Sequence, residues 1–300
     1  VHATSGGSHY VRVGSTKQIV LGPRLPRSYQ NRDRTLVFDG LPVLTSSLEY
    51  LDQRKLKLYF DNTTRVIPWS NLLHNTSILK STQDGTSHAT VAGLLMFGMC
   101  PQNHLQSTSI EAAVYQGLHP TSDDLIHSKS ITGTADSQID EAINFVDQFM
   151  LKPARKPLGQ RDYTQFDLNA VREAIVNAVA HRDYSIAGSK VRIFLYSDRI
   201  EISSPGTLPN TFTVESMAFR VFTRNQLLVQ FLSRMRSSLT GEVFLESRGE
   251  GVQNILRLSE IHSGRIPQYD VHGDELLLTI WAFPCLTYQD LTRNEGMSEN

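Results

Sequence analysis

Three polar side chains recur at a spacing of four between Arg172 and Tyr184: Glu173, Asn177 and His181. In a helix that spacing stacks them on one face. A carboxylate and an amide oxygen one turn apart have the chemistry to orient a water and to hold a hard divalent cation, which takes oxygen ligands and keeps waters of its own. Spacing alone equally allows a solvated stripe on an amphipathic helix. Asn177 speaks for a partner, because asparagine mid-helix among small apolar residues competes for backbone hydrogen bonds. His181 has a second reading, in which a partly positive ring suits the carbonyl end of a helix. Arg182 and Asp183 read as an ion pair ordering the next turn.

The helix that must position this face is marked by Val171, Ile175 and Val179, a buried stripe at the same spacing, with Asp167 as its cap. Ser189 to Tyr196 then alternates like a half-buried strand, Ser197-Asp198-Arg199 is a tight turn, and Ile200-Glu201-Ile202 resumes the alternation. Together they predict a β-hairpin. It ends in Ser203-Ser204-Pro205-Gly206-Thr207-Leu208-Pro209, which cannot continue a strand. Ser247-Arg248-Gly249-Glu250-Gly251 precedes the apolar run Val252, Ile255, Leu256 and Leu258, so glycines open a helix where backbone amides can receive a phosphate.

A helix with Glu and Asn, a hairpin, a Gly turn, an aperiodic segment and a Gly-rich helix start, in that order, resemble the ATP-binding fold shared by gyrase, the chaperone Hsp90, histidine kinases and MutL. The phrases Arg172-Glu173-Ala174 to Asn177, His181-Arg182-Asp183-Tyr184-Ser185, Asp198 to Ser203 and Pro205-Gly206 are similar to a divergent bacterial and archaeal branch of it. Members of that branch are labelled transcriptional regulators or RecG-related helicases, and carry a Schlafen-type AlbA domain in front. The resemblance is strong over residues 160–283 and weaker elsewhere. It implies ATP and Mg²⁺ as cofactors, with Glu173 as the general base polarising the attacking water and Asn177 as the Mg²⁺ ligand. It also implies that Gly206 lets the chain approach the adenine, and that Gly249 and Gly251 place amides near the phosphates, with His181 and Ser204 in the same nucleotide-contacting set. Ser204, followed by Pro205, departs from the wider pattern, which has an acidic residue there to read the adenine amine. A serine reaches that amine weakly or through water. The segment from Arg236 to Glu246 is longer than is usual in the branch.

Composition removes other chemistries. The net charge of −1 leaves no global nucleic-acid footprint, and two cysteines, Cys100 and Cys285, exclude a cysteine-based zinc site. The ten histidines are scattered, no Gly-Lys-Ser/Thr phosphate loop is present, and no serine, histidine and acid stand in a nucleophilic order. No run is apolar enough to span a bilayer and the start lacks a signal-peptide layout, so a cytoplasmic protein with no membrane partner is expected. The chain starts at Val1 rather than Met, as a fragment would.

With 300 residues and 40% hydrophobic composition, two or three compact units are expected. Residues 1–35 read as the basic tail of an upstream AlbA-like nucleic-acid-binding domain, with His9 to Ser15 as its closing strand. Between Val1 and Arg34 six basic residues face one acid, and Arg12, Lys17, Arg24 and Arg27 are the candidates for tracking a phosphate backbone; a solvated linker explains the same excess. Residues 36–152 read as a winged-helix-like, α-rich unit, with a helix over Leu48–Tyr59 and a short one at Trp69. Without a basic recognition helix this unit is a spacer before it is a reader of DNA. A strand over Ser109–Tyr115 and a helix over Ser137–Met150 close it.

The breakers from Leu151 to Gly159 set a boundary, 158–284 is the α/β sandwich, and 285–300 a frayed tail. Within the sandwich, Thr207 to Asn225 has no period, as lids and binding loops do, Gln226–Met235 is a helix and Glu275–Trp281 a buried strand. Arg220 and Arg224 on that segment could reach a triphosphate, but arginines on such a loop more often point into water. The expected protein is a nucleotide-binding transcriptional regulator of α/β (α+β) fold, at most a slow ATPase, in which ATP and Mg²⁺ modulate DNA binding or homodimerisation. The alternative is a degenerate ATPase fold that serves as an interaction or dimerisation module without nucleotide.

Overall fold

The computed structural model describes residues 38–60, 68–152, 164–208, 213–214, 216–217, 222–245 and 249–284, and the backbone of residues 2–3, 9–13 and 16–19. Its strands are β1 (His2–Ala3), β2 (His9–Val13), β3 (Thr16–Ile19), β4 (Leu79–Ser81), β5 (Ser87–Ala89), β6 (Ile110–Tyr115), β7 (Leu125–Ile131), β8 (Val191–Leu195), β9 (Arg199–Pro205), β10 (Gln268–His272) and β11 (Glu275–Trp281). Its α-helices are α1 (Gln53–Tyr59), α2 (Trp69–Asn75), α3 (Val91–Phe97), α4 (Ala135–Phe149), α5 (Leu168–Ala180), α6 (Gln226–Leu232) and α7 (Gly251–Ser263).

The α/β sandwich is built on one six-stranded sheet in the order β10-β11-β9-β8-β6-β7. Every neighbouring pair is antiparallel except β6 with β8. Along β8, Val191, Ile193 and Leu195 are buried while Arg192 and Phe194 are partly exposed, the alternation of a sheet covered on one face. Helices α4, α5 and α7 supply that cover, packing on β6, β9 and β11 and on each other.

Two differences from the sequence reading have physical causes. The strand β6 pairs in parallel with β8, Ile110 opposite Val191, so the sheet crosses the division drawn between 36–152 and 158–284. It takes in β6, β7 and α4 from the first of those ranges. The expected Leu48–Tyr59 helix is split: Leu51 turns to extended backbone and bridges Gly98, and Asp52 caps α1 afresh by accepting the amides of Arg54 and Lys55. The strands β7 and β10 escape the periodicity argument because six of seven side chains in β7 are exposed and β10 shows no two-residue alternation.

At the N-terminus β1, β2 and β3 form a separate antiparallel sheet, in which Arg12 pairs in register with Lys17. Arg24, Arg27 and the 285–300 tail lie outside the described residues.

The organising helix starts where the sequence places it. Asp167 accepts the Ala170 amide at 2.9 Å. Replacing such a cap by alanine costs about 1 kcal/mol, so Asp167→Ala is expected to shift the urea midpoint down with the m-value unchanged.

Candidate functional site

The face of α5 carrying Glu173, Asn177 and His181 opens onto a cleft of about 390 Å³, a size usual for small-molecule sites. Ser204 and Gly206 at the end of β9, and Gly249 and Gly251 at the start of α7, line the same cleft. All seven sandwich residues singled out from sequence therefore meet in one place. The stripe is not a solvated helix face.

The closest approach is at Gly251. A Cβ built there would fall onto Oε1 of Glu173 and lie 3.2 Å from Nδ2 of Asn177, so a side chain at 251 would displace the carboxylate. Glu250, the N-cap of α7, makes no side-chain capping bond, and Gly249 takes a left-handed φ of 70°. Ser204 donates its hydroxyl proton to the Ala178 carbonyl at 2.7 Å, which leaves that oxygen only as an acceptor towards the cleft. Tyr269 also lines the cleft, and burial, followed by the nearby Glu173 charge, pushes its phenol up.

Below these residues lies a buried ion pair. The Arg224 guanidinium sits 2.8 Å from Oδ2 of Asp183 and donates to the Thr207 carbonyl at 2.5 Å. Asp183 Oδ1 accepts from the Ser185 amide at 3.0 Å and the Ser185 hydroxyl at 2.5 Å. Arg224 thus points inward, not into water. The partner of Asp183 is Arg224 rather than Arg182, whose own buried guanidinium donates to the carbonyls of Ser107, Asp183, Ile186 and Ser189 at 2.6–3.2 Å. Arg220 lies outside the described residues. The burial of Arg224 and Asp183 and the entry of Tyr269 were not foreseen; a basic residue closing an aperiodic segment was the one available signal.

His181 is not a cationic helix end. Burial, and then the Arg224 charge, bring its pKa down to about 4, and its Nδ1 is buried without a hydrogen-bond partner among the described residues. A histidine depressed in the fold loses stability as pH falls below its unfolded value near 6.5, until the folded ring protonates near 4. Asp39, raised to about 6 by burial, acts with opposite sign between about 6 and 4. The measurement is therefore the difference between wild type and His181→Gln in urea titrations at pH 7, 5.5 and 4.5. The variant's advantage is expected to grow at each step down.

Among the described residues no group of three His, Cys, Asp or Glu is placed to hold a metal. Among the described residues the charged side chains at the cleft are Glu173 and Arg224, the latter offset by Asp183. These residues give an anionic ligand no uncompensated positive charge, which a cation brought with it would supply.

Residues 188–280 match the family described as "Putative ATP-dependent DNA helicase recG C-terminal". The C-terminal part of the chain is ATPase-like. The matched residues include Ser204, Gly206, Gly249 and Gly251 and begin after α5, so the Glu173–His181 face rests on the geometry above. No curated protein matches the chain. It is similar to the crystal structure of the DIP2311 protein from Corynebacterium diphtheriae at 18% identity and a TM-score of 0.59, over 96% of this chain and 55% of that one. The chain spans about half the length of that protein, and similarity at this identity speaks for the fold alone.

Proposed function

We propose that the ATPase-like cleft binds ATP with Mg²⁺, and that occupancy modulates how the N-terminal region engages DNA or a second copy of the chain. The observation that carries the reading is the convergence of Glu173, Asn177 and the uncapped start of α7 at Gly251. Phosphates suit amides at a helix start. Mg²⁺ usually takes one or two protein oxygens and completes its shell with phosphate and water, which fits Asn177 as a single protein ligand at the cleft. Bound there, the ion would neutralise phosphate charge; Glu173 is the base that orients water.

The Ser204 oxygen, restricted to accepting, suits a base bearing an amine over one bearing a carbonyl at the same place, so ATP is favoured over GTP. Hydrolysis is slow on this reading, because the Arg224 charge is committed to Asp183 and Thr207 rather than to a transferring phosphate. The open cleft supports ligand binding over the alternative of a closed, degenerate module. The DNA component rests on the basic excess between Val1 and Arg34.

The test is isothermal titration with a non-hydrolysable ATP analogue with and without Mg²⁺. Saturable binding is expected only with Mg²⁺, lost in Asn177→Ala and kept in Glu173→Gln, which in turn loses turnover of ATP. Absence of binding to a folded wild type would overturn the nucleotide reading and favour the interaction module.

A further inference from the structure

Asp39 is fully buried and belongs to a one-turn 3₁₀ helix, Phe38–Gly40, at the opposite end of the sequence from the cleft. Its Oδ2 accepts the Leu228 amide at 3.0 Å, in the first turn of α6. Oδ1 has no hydrogen-bond partner among the described residues, and burial holds the carboxyl up near 6. The fold keeps an acid here against its desolvation cost.

The reason lies in what α6 does. Its own cap residue, Asn225, makes no capping bond. The Asn225 side chain is turned the other way, donating to the Ala180 and Arg182 carbonyls at 2.9 and 2.8 Å, where α5 ends. Asp39 thus serves the start of α6 in place of the local residue, which is spent on holding α6 to the helix that bears Glu173 and Asn177. Arg224, just before the cap of α6, Val229 within the helix and Ser233, its C-cap, line the cleft. On the other side α6 packs on α3 and on the Phe38–Gly40 turn, where a Cβ at Gly40 would stand 3.3 Å from Leu227. One short helix is the wall of the cleft and the seat of the residues that follow the basic segment.

We propose that Asp39 is a positioning residue for the cleft: by capping α6 from the N-terminal side it holds Asn225 and Arg224 against the end of α5, and so couples the segment ending at Phe38 to cleft occupancy. The coupling to occupancy rests on the nucleotide reading above; the positioning does not.

The experiment compares the full chain with Asp39→Ala, Asp39→Asn and Ile131→Ala, the last a core truncation in β7 at the sheet edge remote from the cleft, with urea adjusted so that the variants have equal global stability. Amide hydrogen exchange over residues 225–233 and 180–184 and the dissociation constant for the Mg²⁺-ATP analogue are read together. Asp39→Ala is expected to lose protection in both segments and to bind at least tenfold more weakly, Asp39→Asn, which keeps an acceptor oxygen, to recover most of both, and Ile131→Ala to change neither. Protection and affinity in Asp39→Ala equal to those in Ile131→Ala would overturn the proposal, as would a loss confined to 225–233. Should wild type bind no nucleotide, the nucleotide reading fails by itself, and exchange over 180–184 still decides the positioning role.

Discussion

Arg224→Met is expected to lower the free energy of unfolding by about 3–5 kcal/mol, the cost of stripping one partner from a buried ion pair. Asp183 is 1% and Arg224 7% exposed, so water cannot take over the solvation of the carboxylate that is left. Asp183→Asn should cost less, because the amide oxygen can still accept from Ser185 and leaves Arg224 its bond to the Thr207 carbonyl. The double variant Asp183→Asn/Arg224→Met removes both charges, so its loss is expected to fall well short of the sum of the singles. Urea unfolding of the four proteins at pH 7 closes the cycle. Losses that simply add would mean that the pair contributes nothing as a pair. The same substitution bears on the cleft, since it takes away the one guanidinium that lines it among the described residues and leaves the wall more negative. Any residual nucleotide binding should then demand more Mg²⁺.

The elements were legible wherever one residue period covered a full element. In α5 the Val171, Ile175 and Val179 stripe and the Asp167 cap gave the helix, and the spacing of Glu173, Asn177 and His181 gave the face that meets the cleft. In β8 the alternation of side chains, and in β11 the apolar run, did the same. Sequence could not show that Ile110–Tyr115 joins the sheet beside Val191–Leu195, because a parallel pairing across some eighty residues leaves no local mark. Nor could it choose between partners for Asp183. The adjacent Arg182 is the obvious cation, yet its guanidinium is drawn to four backbone carbonyls, and the true partner comes from forty-one residues away. Asp39 was invisible for the same reason: its work is done on the Leu228 amide, 189 residues on.

Gly206→Ala joins the two halves of that buried cluster. The residue takes φ of 122°, a conformation that costs a residue with a side chain on the order of 1–3 kcal/mol. Its Cβ would also fall onto the Arg224 guanidinium and lie 2.8 Å from Cβ of Asp183, so relief requires moving the ion pair or the strand end that carries it. The strand end is itself pinned: the Asp183 amide donates to the Pro205 carbonyl and the Gly206 amide to the Asp274 carbonyl, each at 2.7 Å. Neither side can yield cheaply, so the total loss is expected at about 3–5 kcal/mol, with strain and overlap both contributing. The two contributions separate in the Arg224→Met background. There the overlap with the guanidinium is gone while the φ penalty stays, so Gly206→Ala should cost about 2 kcal/mol less than it does in wild type. An equal cost in both backgrounds would place the effect in the backbone and the Asp183 contact, and the requirement for glycine at 206 would then not come from the close approach of Arg224.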